Sequence, residues 1–252
     1  MTDLTRTVAN GIAQVRFNRP DVLNALSPDM LDDLIDLCAE TGRDEAIRVV
    51  VFAGSGDHFS SGADLPEFHK KLVTDPQPTA DLGRRAGEAI EALPQIAVAA
   101  IQGHCVGGAL VLAATCDVRV AADNSRFFIP ELDAGIPLAW GGMARMVRLV
   151  GESLAADLVL TCRRFGAEEA LQSGFISRVI PANSFADEIA ALADSIAQKP
   201  ALALRLTKQQ LGAIRKRTCD AKMDAGALLA SLADKEAKDT SDAYVAKLRP
   251  QK

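Results

Sequence analysis

Three short segments combine small residues or a carboxylate with apolar surroundings, and these residue types could do chemistry. The first is FSSGADL, residues 59–65. Its small residues would let the backbone come close to a ligand, so the N–H of Ala63 is a candidate hydrogen-bond donor. The alternative is a tight turn in which Asp64 caps the next helix.

The second segment, GHCVGGAL at residues 103–110, connects an apolar strand pattern to an apolar helix pattern. Free N–H groups at a helix N-terminus can bind an anion or a carbonyl oxygen, which makes the N–H of Gly108 a second candidate donor. No Lys-Ser/Thr pair follows and the GxGxxG spacing is absent, so neither a P-loop nor a dinucleotide fingerprint is indicated. The alternative is close packing of strand on helix.

The third segment, FFIPELDAGIP at residues 127–137, places Glu131 among apolar residues. Desolvation would raise the pKa of that carboxyl group and make it a usable base near neutral pH. The alternative is an exposed loop glutamate. Asp133 is either a second acid or the cap of a turn.

The elements that must position these segments alternate between strand and helix, which favours an α/β fold with parallel pairing. A loop is predicted up to Asp64 and a variable polar stretch from Lys70 to Pro78, and the chain beyond Pro200 reads as helical. Ser27, followed by Pro28 and Asp29, indicates the start of a helix. Strands are predicted at 10–17, 48–53, 96–101 and 117–122, and further helices at 81–93, 109–116, 141–150, 153–160, 167–173 and 185–198.

Composition narrows the class of protein. The chain has 252 residues, 48% of them hydrophobic, and a net charge of −5, which weighs against nucleic-acid binding. Five cysteines, an odd number without a CxxC pair, and no apolar N-terminal run predict a reduced, cytoplasmic protein. Residues 95–116 carry no charge, but a polar glycine turn interrupts them, so a buried strand and helix are expected rather than a membrane span.

Together the segments resemble the crotonase superfamily, the enoyl-CoA hydratase/isomerase family. FNRPDVLNAL is similar to its N-terminal signature, and FSSGADL and IQGHCVGGALVLAATCD are similar to the two segments that supply its oxyanion-hole amides. RFFIPELDAGIPLAWGG, RLVG and the GF.SRV run from Gly174 follow in the family's order.

The resemblance implies a spiral of ββα units over residues 1–195, carrying the acyl-CoA site. Residues 196–252 would form a helical region for oligomerisation and pocket cover. It implies an acyl-CoA or enoyl-CoA thioester as substrate, with coenzyme A carried by the substrate and no separate cofactor or metal. It also implies a homotrimer or a dimer of trimers, and no nucleic-acid or membrane partner.

By the same resemblance, the thioester oxygen would lie between the N–H groups of Ala63 and Gly108, with Glu131 as acid and base. The residues expected to contact the substrate are Val22, Leu23, Ala25, Ser61, Asp64, Leu65, His104, Gly107, Val111, Pro130 and Trp140.

One departure from the family bears on the reaction. Hydratases of the family generally carry a second glutamate three residues past the second amide donor, and this chain has Val111 there. Valine cannot transfer a proton, whereas moving a double bond from position 3 to position 2 needs one base. The sequence therefore favours an enoyl-CoA isomerase. The alternatives are a hydratase using one glutamate, a catalytically weak acyl-CoA-binding protein and a scaffold acting through its helical C-terminus.

Other residue types give weaker signals. Pro66 stands where the family often has a lysine near the coenzyme's phosphates, and His69, Lys70 and Lys71 could substitute or simply form a solvated loop. The three histidines lack a metal-site spacing. Cys105 has no evident base to activate it as a nucleophile. Trp140 is expected either to form a wall of the acyl pocket or to fill the core.

Overall fold

Strands and helices alternate in the computed structural model, which describes residues 3–215, 234–236 and 239. Among these residues, six strands form one sheet in the order β1-β2-β3-β4-β6-β9, and three short ones form a second in the order β5-β7-β8. The strands are β1 (Leu4–Ala9), β2 (Ile12–Phe17), β3 (Val49–Gly54), β4 (Ile96–Ile101), β5 (His104–Val106), β6 (Val118–Ala122), β7 (Arg126–Phe128), β8 (Phe165–Gly166) and β9 (Arg178–Ile180).

Helices pack on the larger sheet, which gives the expected α/β arrangement with a helical region after the sheet. β1 and β2 pair antiparallel, and the remaining neighbours of the large sheet pair in parallel. The helices are α1 (Pro28–Arg43), α2 (Leu65–Thr74), α3 (Pro76–Ala92), α4 (Gly108–Thr115), α5 (Gly142–Val150), α6 (Glu152–Thr161), α7 (Ala167–Gln172), α8 (Phe185–Ala197) and α9 (Ala201–Arg215).

The first predicted strand, 10–17, was two residues too long at its start. Asn10 and Gly11 have φ angles of 53° and 75° and form the turn between β1 and β2. A two-residue hairpin turn needs positive φ at both positions, and an Asn-Gly pair accepts this at low cost. The strand β1 that the turn joins was not predicted.

Helix α2 is a further correction, because residues 70–78 were predicted as a variable polar stretch and all but Asp75 lie in α2 or at the start of α3. The alternative in which Asp64 caps the next helix is confirmed. The side chain of Asp64 accepts a hydrogen bond from the N–H of Glu67 at 3.3 Å, and Pro66 lies in the first turn. These are regular helix-start signals. Helix α3 likewise begins at Pro76 rather than at residue 81. The predicted start of α1 is confirmed, since Ser27 Oγ accepts from the N–H of Met30 at 3.1 Å.

The uncharged stretch 95–116 forms β4, β5 and α4. All six side chains of β4 and all eight residues of α4 are buried, as expected for the central strand and helix of an α/β core. No helix within the described ranges is long and apolar enough to cross a membrane.

The predicted C-terminal region begins inside a helix that packs on the large sheet. The predicted boundary at residue 195 lies inside α8, which packs against β2 and β3. Helix α9 is fastened to the sheet by Asp117, whose buried carboxylate pairs with Lys208 and accepts from the Arg215 guanidinium at 2.8 Å. Asp117 also accepts from the N–H of Ala97 at 2.8 Å. Most of the predicted oligomerisation and cover region lies outside the described residues, so that role stays a prediction.

Candidate active site

A cavity of about 310 Å³ lies between α2, the N-terminus of α4 and the segment 131–140. Its wall is mostly apolar, with Glu131 and His69 as the titratable side chains among the described lining residues. The lining residues are Ala63, Leu65, Phe68, His69, Leu72, Ala80, Gly108, Val111, Glu131, Ala134, Ile136, Pro137, Leu138, Ala139 and Trp140.

The glycine turn before α4 presents one backbone donor to this cavity. Gly107 has φ 51° and ψ −119°, a conformation that favours glycine, and its N–H donates to the carbonyl of Phe128 at 3.0 Å. Gly108 is the first residue of α4. Its N–H has no acceptor within the described residues, as is usual for the first turn of a helix.

A second donor comes from the loop before α2. Leu26 and Ala63 form a parallel bridge in which the N–H of Leu26 donates to the carbonyl of Gly62 at 2.8 Å and the N–H of Asp64 to the carbonyl of Leu26 at 2.9 Å. This pairing turns the N–H of Ala63 away from Leu26, and none of the described residues accepts it.

The two donor segments lie against each other. A Cβ atom added to Gly62 would stand 2.7 Å from the carbonyl oxygen of Val106 and 3.6 Å from the nitrogen of Gly108. The unpaired amides of Ala63 and Gly108 therefore belong to adjoining pieces of backbone on one cavity wall. Two such N–H groups can stabilise one developing oxyanion.

Glu131 lies against Gly107, the residue before the Gly108 amide, and lines the same cavity as Ala63 and Gly108. Burial raises the pKa of its carboxyl group above the ordinary value of a glutamate. Its Oε2 atom is buried and has no hydrogen-bond partner in the described part of the chain. A carboxylate oxygen that is buried without a partner contributes little to stability, and it is free to accept a proton.

Gly107 leaves space for the Glu131 carboxylate because it has no side chain. A Cβ atom at Gly107 would stand 2.6 Å from Oε1, closer than real contacts allow. We expect Gly107→Ala to displace the carboxylate and to strain a positive φ, lowering turnover by about 100-fold and stability by about 1–3 kcal/mol. Steady-state kinetics and thermal unfolding would measure both. The control is Gly166→Ala, which meets nothing within 4 Å, and unchanged turnover in Gly107→Ala would contradict this geometry.

Val111 occupies the position one turn into α4 and lines the same cavity. Its side chain is buried, and a Cβ atom on Gly142 would stand 2.6 Å from Val111 Cγ2 and 2.8 Å from Leu138 Cγ. Glu131 is the one carboxylate among the described lining residues, because Asp133 is exposed and does not reach the cavity.

Several of the predicted substrate contacts lie outside the cavity lining. Asp64 caps α2 and pairs with Arg19 at 2.8 Å, and Ser61 Oγ donates to the carbonyl of Val22 at 3.3 Å. The other predicted contacts that do not line the cavity are Val22, Leu23, Ala25, His104, Gly107 and Pro130.

The apolar wall formed by α2 was not predicted, because residues 70–78 were expected to be a variable polar stretch. Phe68 and Leu72 lie four residues apart on α2, a spacing that would have indicated an apolar helix face. Lys71, considered for phosphate binding, pairs with Asp29 at 3.1 Å and Asp32 at 3.4 Å. Burial holds the pKa of the Cys105 thiol well above its usual range, which makes it an unsuitable nucleophile.

Known proteins are similar to this chain in sequence and in fold. The model of the family described as enoyl-CoA hydratase/isomerase matches residues 7–251. The short-chain-enoyl-CoA hydratase of Clostridium acetobutylicum is 32% identical over 83% of this chain and 80% of that protein. The 2,3-dehydroadipyl-CoA hydratase of Escherichia coli is 34% identical over 84% and 82%. The crystal structure of an enoyl-CoA hydratase from Bacillus anthracis superimposes with a TM-score of 0.90 at 27% identity, covering 99% of this chain and 98% of that one.

Proposed function

Because this chain belongs to the enoyl-CoA hydratase/isomerase family, we propose that it is an enoyl-CoA isomerase that moves a double bond from position 3 to position 2 of the acyl group. One observation supports the proposal above all. Two backbone amides without an acceptor and one carboxylate, Glu131, line the same cavity, and Val111 occupies the position where hydratases of the family generally have a second glutamate.

The proposed reaction uses the two amides and the carboxylate in sequence. The thioester oxygen accepts hydrogen bonds from the N–H groups of Ala63 and Gly108. Glu131 then removes a proton from C2, and the electron pair of that C–H bond spreads over the thioester to give a dienolate. The two donors stabilise its oxygen, each contributing about 3 kcal/mol in comparable enzymes.

The same carboxyl group completes the reaction. Glu131, now protonated, returns its proton to C4, so the double bond between C3 and C4 ends between C2 and C3. No water enters the balance, and the enzyme returns to its starting state. The apolar wall favours this outcome, because it offers few groups that would hold a water molecule against the β-carbon.

Hydration of a 2-enoyl-CoA is the second candidate. The curated relatives compared above are named hydratases. His69 also lines the cavity and is exposed, so it is a group that could hold a water molecule. Glu131 would then have to serve both the water and the α-carbon, which is why this reaction ranks second.

Turnover of a matched pair of substrates separates the two reactions. The purified protein would be given a 3-enoyl-CoA and a 2-enoyl-CoA of equal chain length, and both products would be followed by chromatography. We expect conversion of the 3-enoyl thioester at least about tenfold faster than hydration of the 2-enoyl one. Comparable hydration would favour the hydratase. Tight acyl-CoA binding without either reaction would indicate a binding protein.

Two further expectations stay predictions. The first is the assembly into a trimer or a dimer of trimers, which the family resemblance implies. The second is a cytoplasmic location. Mass photometry of the purified protein would give the number of subunits directly.

A further inference from the structure

Trp140 adopts a backbone conformation that a tryptophan rarely takes. Its φ is 57°, in the left-handed region, and Gly141 follows with φ 72°. Such a conformation is strained for a residue with a side chain, and it persists where the surroundings hold it. The segment thereby turns the indole inward, where it lines the cavity and lies 5.7 Å from the ring of Phe68, measured between centroids.

Two glycines make room for the indole. A Cβ atom on Gly83 of α3 or on Gly108 of α4 would overlap the Trp140 ring. The indole therefore fills the space between α3 and α4 and closes the cavity on that side. Gly108 is also the residue proposed to supply an oxyanion donor, so the ring lies directly beside the reacting end of the substrate.

A buried ion pair holds this arrangement. Arg145, 7% exposed, donates from Nη1 to the carbonyl of Trp140 at 2.6 Å. The same guanidinium binds both carboxylate oxygens of Glu91 on α3, through Nε at 3.1 Å and Nη2 at 2.9 Å. This two-point geometry is specific to arginine and fixes the orientation of the fork.

We propose that Trp140 sets the size limit of the acyl site, that Arg145 and Glu91 are its positioning residues, and that the site selects short, unsubstituted hydrocarbon acyl groups. The proposal rests on the proposed function, since it names the substrate class of the same site. Removing the indole would extend the cavity between α3 and α4, where a longer chain has no room at present.

The size and lining of the cavity also favour short, unsubstituted hydrocarbon acyl groups. Its volume of about 310 Å³ lies at the low end of the range for ligand sites, roughly 300–1,000 Å³. Apart from Glu131 and His69, the described lining residues are apolar, so a polar substituent on the acyl group would lose its hydrogen bonds to water without replacement.

Binding of saturated acyl-CoAs tests the proposal without requiring turnover. Butanoyl-CoA, octanoyl-CoA and dodecanoyl-CoA would be titrated by calorimetry into the wild type and into Trp140→Ala. We expect the wild type to gain little affinity beyond the four-carbon chain. Each methylene that is newly buried strengthens binding by up to about fourfold. Trp140→Ala should therefore raise the ratio of octanoyl-CoA affinity to butanoyl-CoA affinity by at least about tenfold over the wild type.

Arg145→Lys tests the positioning role with a matched control. Lysine keeps a positive charge near Glu91 but loses the two-point fork and the bond to the Trp140 carbonyl. We expect the same shift toward longer chains, smaller than in Trp140→Ala. The control Arg84→Lys makes the same change at a more exposed ion pair of α3, with Asp81 and Glu88, and should leave the chain-length profile unchanged.

The outcomes separate this proposal from the proposed function. A wild type that binds dodecanoyl-CoA many times more tightly than butanoyl-CoA overturns the size limit, as does an unchanged profile in folded Trp140→Ala. Trp140→Phe, which keeps an aromatic ring, gives a milder variant should the alanine form unfold. A chain-length shift in binding without any isomerisation would retain the size limit and refute the isomerase.

Discussion

Glu131→Gln is expected to lower the rate of isomerisation by about 1,000-fold while leaving the affinity for acyl-CoA nearly unchanged. The amide has the shape of the carboxylate but cannot accept the C2 proton, and a positioned general base contributes about 100- to 10,000-fold. The measurement is kcat with a 3-enoyl-CoA, together with calorimetric binding of a saturated acyl-CoA. A residual rate within tenfold of the wild type would show that another group is the base.

The same substitution is expected to stabilise the protein. The raised pKa of Glu131 means that the folded state favours the protonated carboxyl group, so the wild type loses stability as the pH rises from the unfolded to the folded pKa. Oε2 has no partner in the described structure, and removing that charge should contribute about 1 kcal/mol, or roughly 3 °C in Tm. The gain should be absent at acidic pH and complete above the folded pKa.

The pH profile of turnover follows from the same shift. Glu131 must be ionised to act as a base, so kcat/KM should fall as the pH drops below its raised pKa. The midpoint of that fall should lie above the ordinary value for a glutamate. A midpoint at or below the ordinary value would indicate that the carboxylate is more solvated than its burial shows.

Val111→Glu is expected to create hydratase activity in this chain. The new carboxylate would stand in the cavity near Glu131, where it could activate a water molecule while Glu131 serves the α-carbon. We expect hydration of a 2-enoyl-CoA to rise by about 100-fold, the usual contribution of one positioned acid or base. The rate of hydration would be measured from the decrease in absorbance of the conjugated thioester.

Val111→Gln is the matched control, because it fills the same volume without transferring a proton. If glutamine raises hydration as much as glutamate does, the effect is steric and the missing carboxylate does not explain a low rate of hydration. Both variants should be less stable than the wild type, since Val111 is 1% exposed and packs near Gly142 and Leu138. The glutamate should cost more, about 3 kcal/mol, because it also buries a charge.

Local signals in the sequence were sufficient to predict many of the helices and strands. Ser27 with Pro28 located the start of α1, and the uncharged run 95–116 located β4 and α4, because capping and burial depend on neighbouring residues. Asp64 was considered as the cap of the helix that proved to be α2, but the extent of that helix was missed, since the polar stretch at 70–78 resembled a loop. The Asn10-Gly11 turn was absorbed into a strand, although the pair itself is a hairpin signal.

The candidate site divides in the same way. The sequence alone indicated Ala63, Gly108 and Glu131, because glycine turns and an acid among apolar residues are visible in short windows. Only the tertiary structure could show that Gly62 lies against the amide of Gly108 and that Gly107 leaves space for the Glu131 carboxylate. It alone could show Trp140 seated between Gly83 and Gly108 and held by Arg145 and Glu91, since these contacts join residues up to 57 positions apart. The type of each residue can be read from a short stretch of the chain. The distances between these residues and the burial of their side chains are set only when helices α3, α4 and α5 pack together.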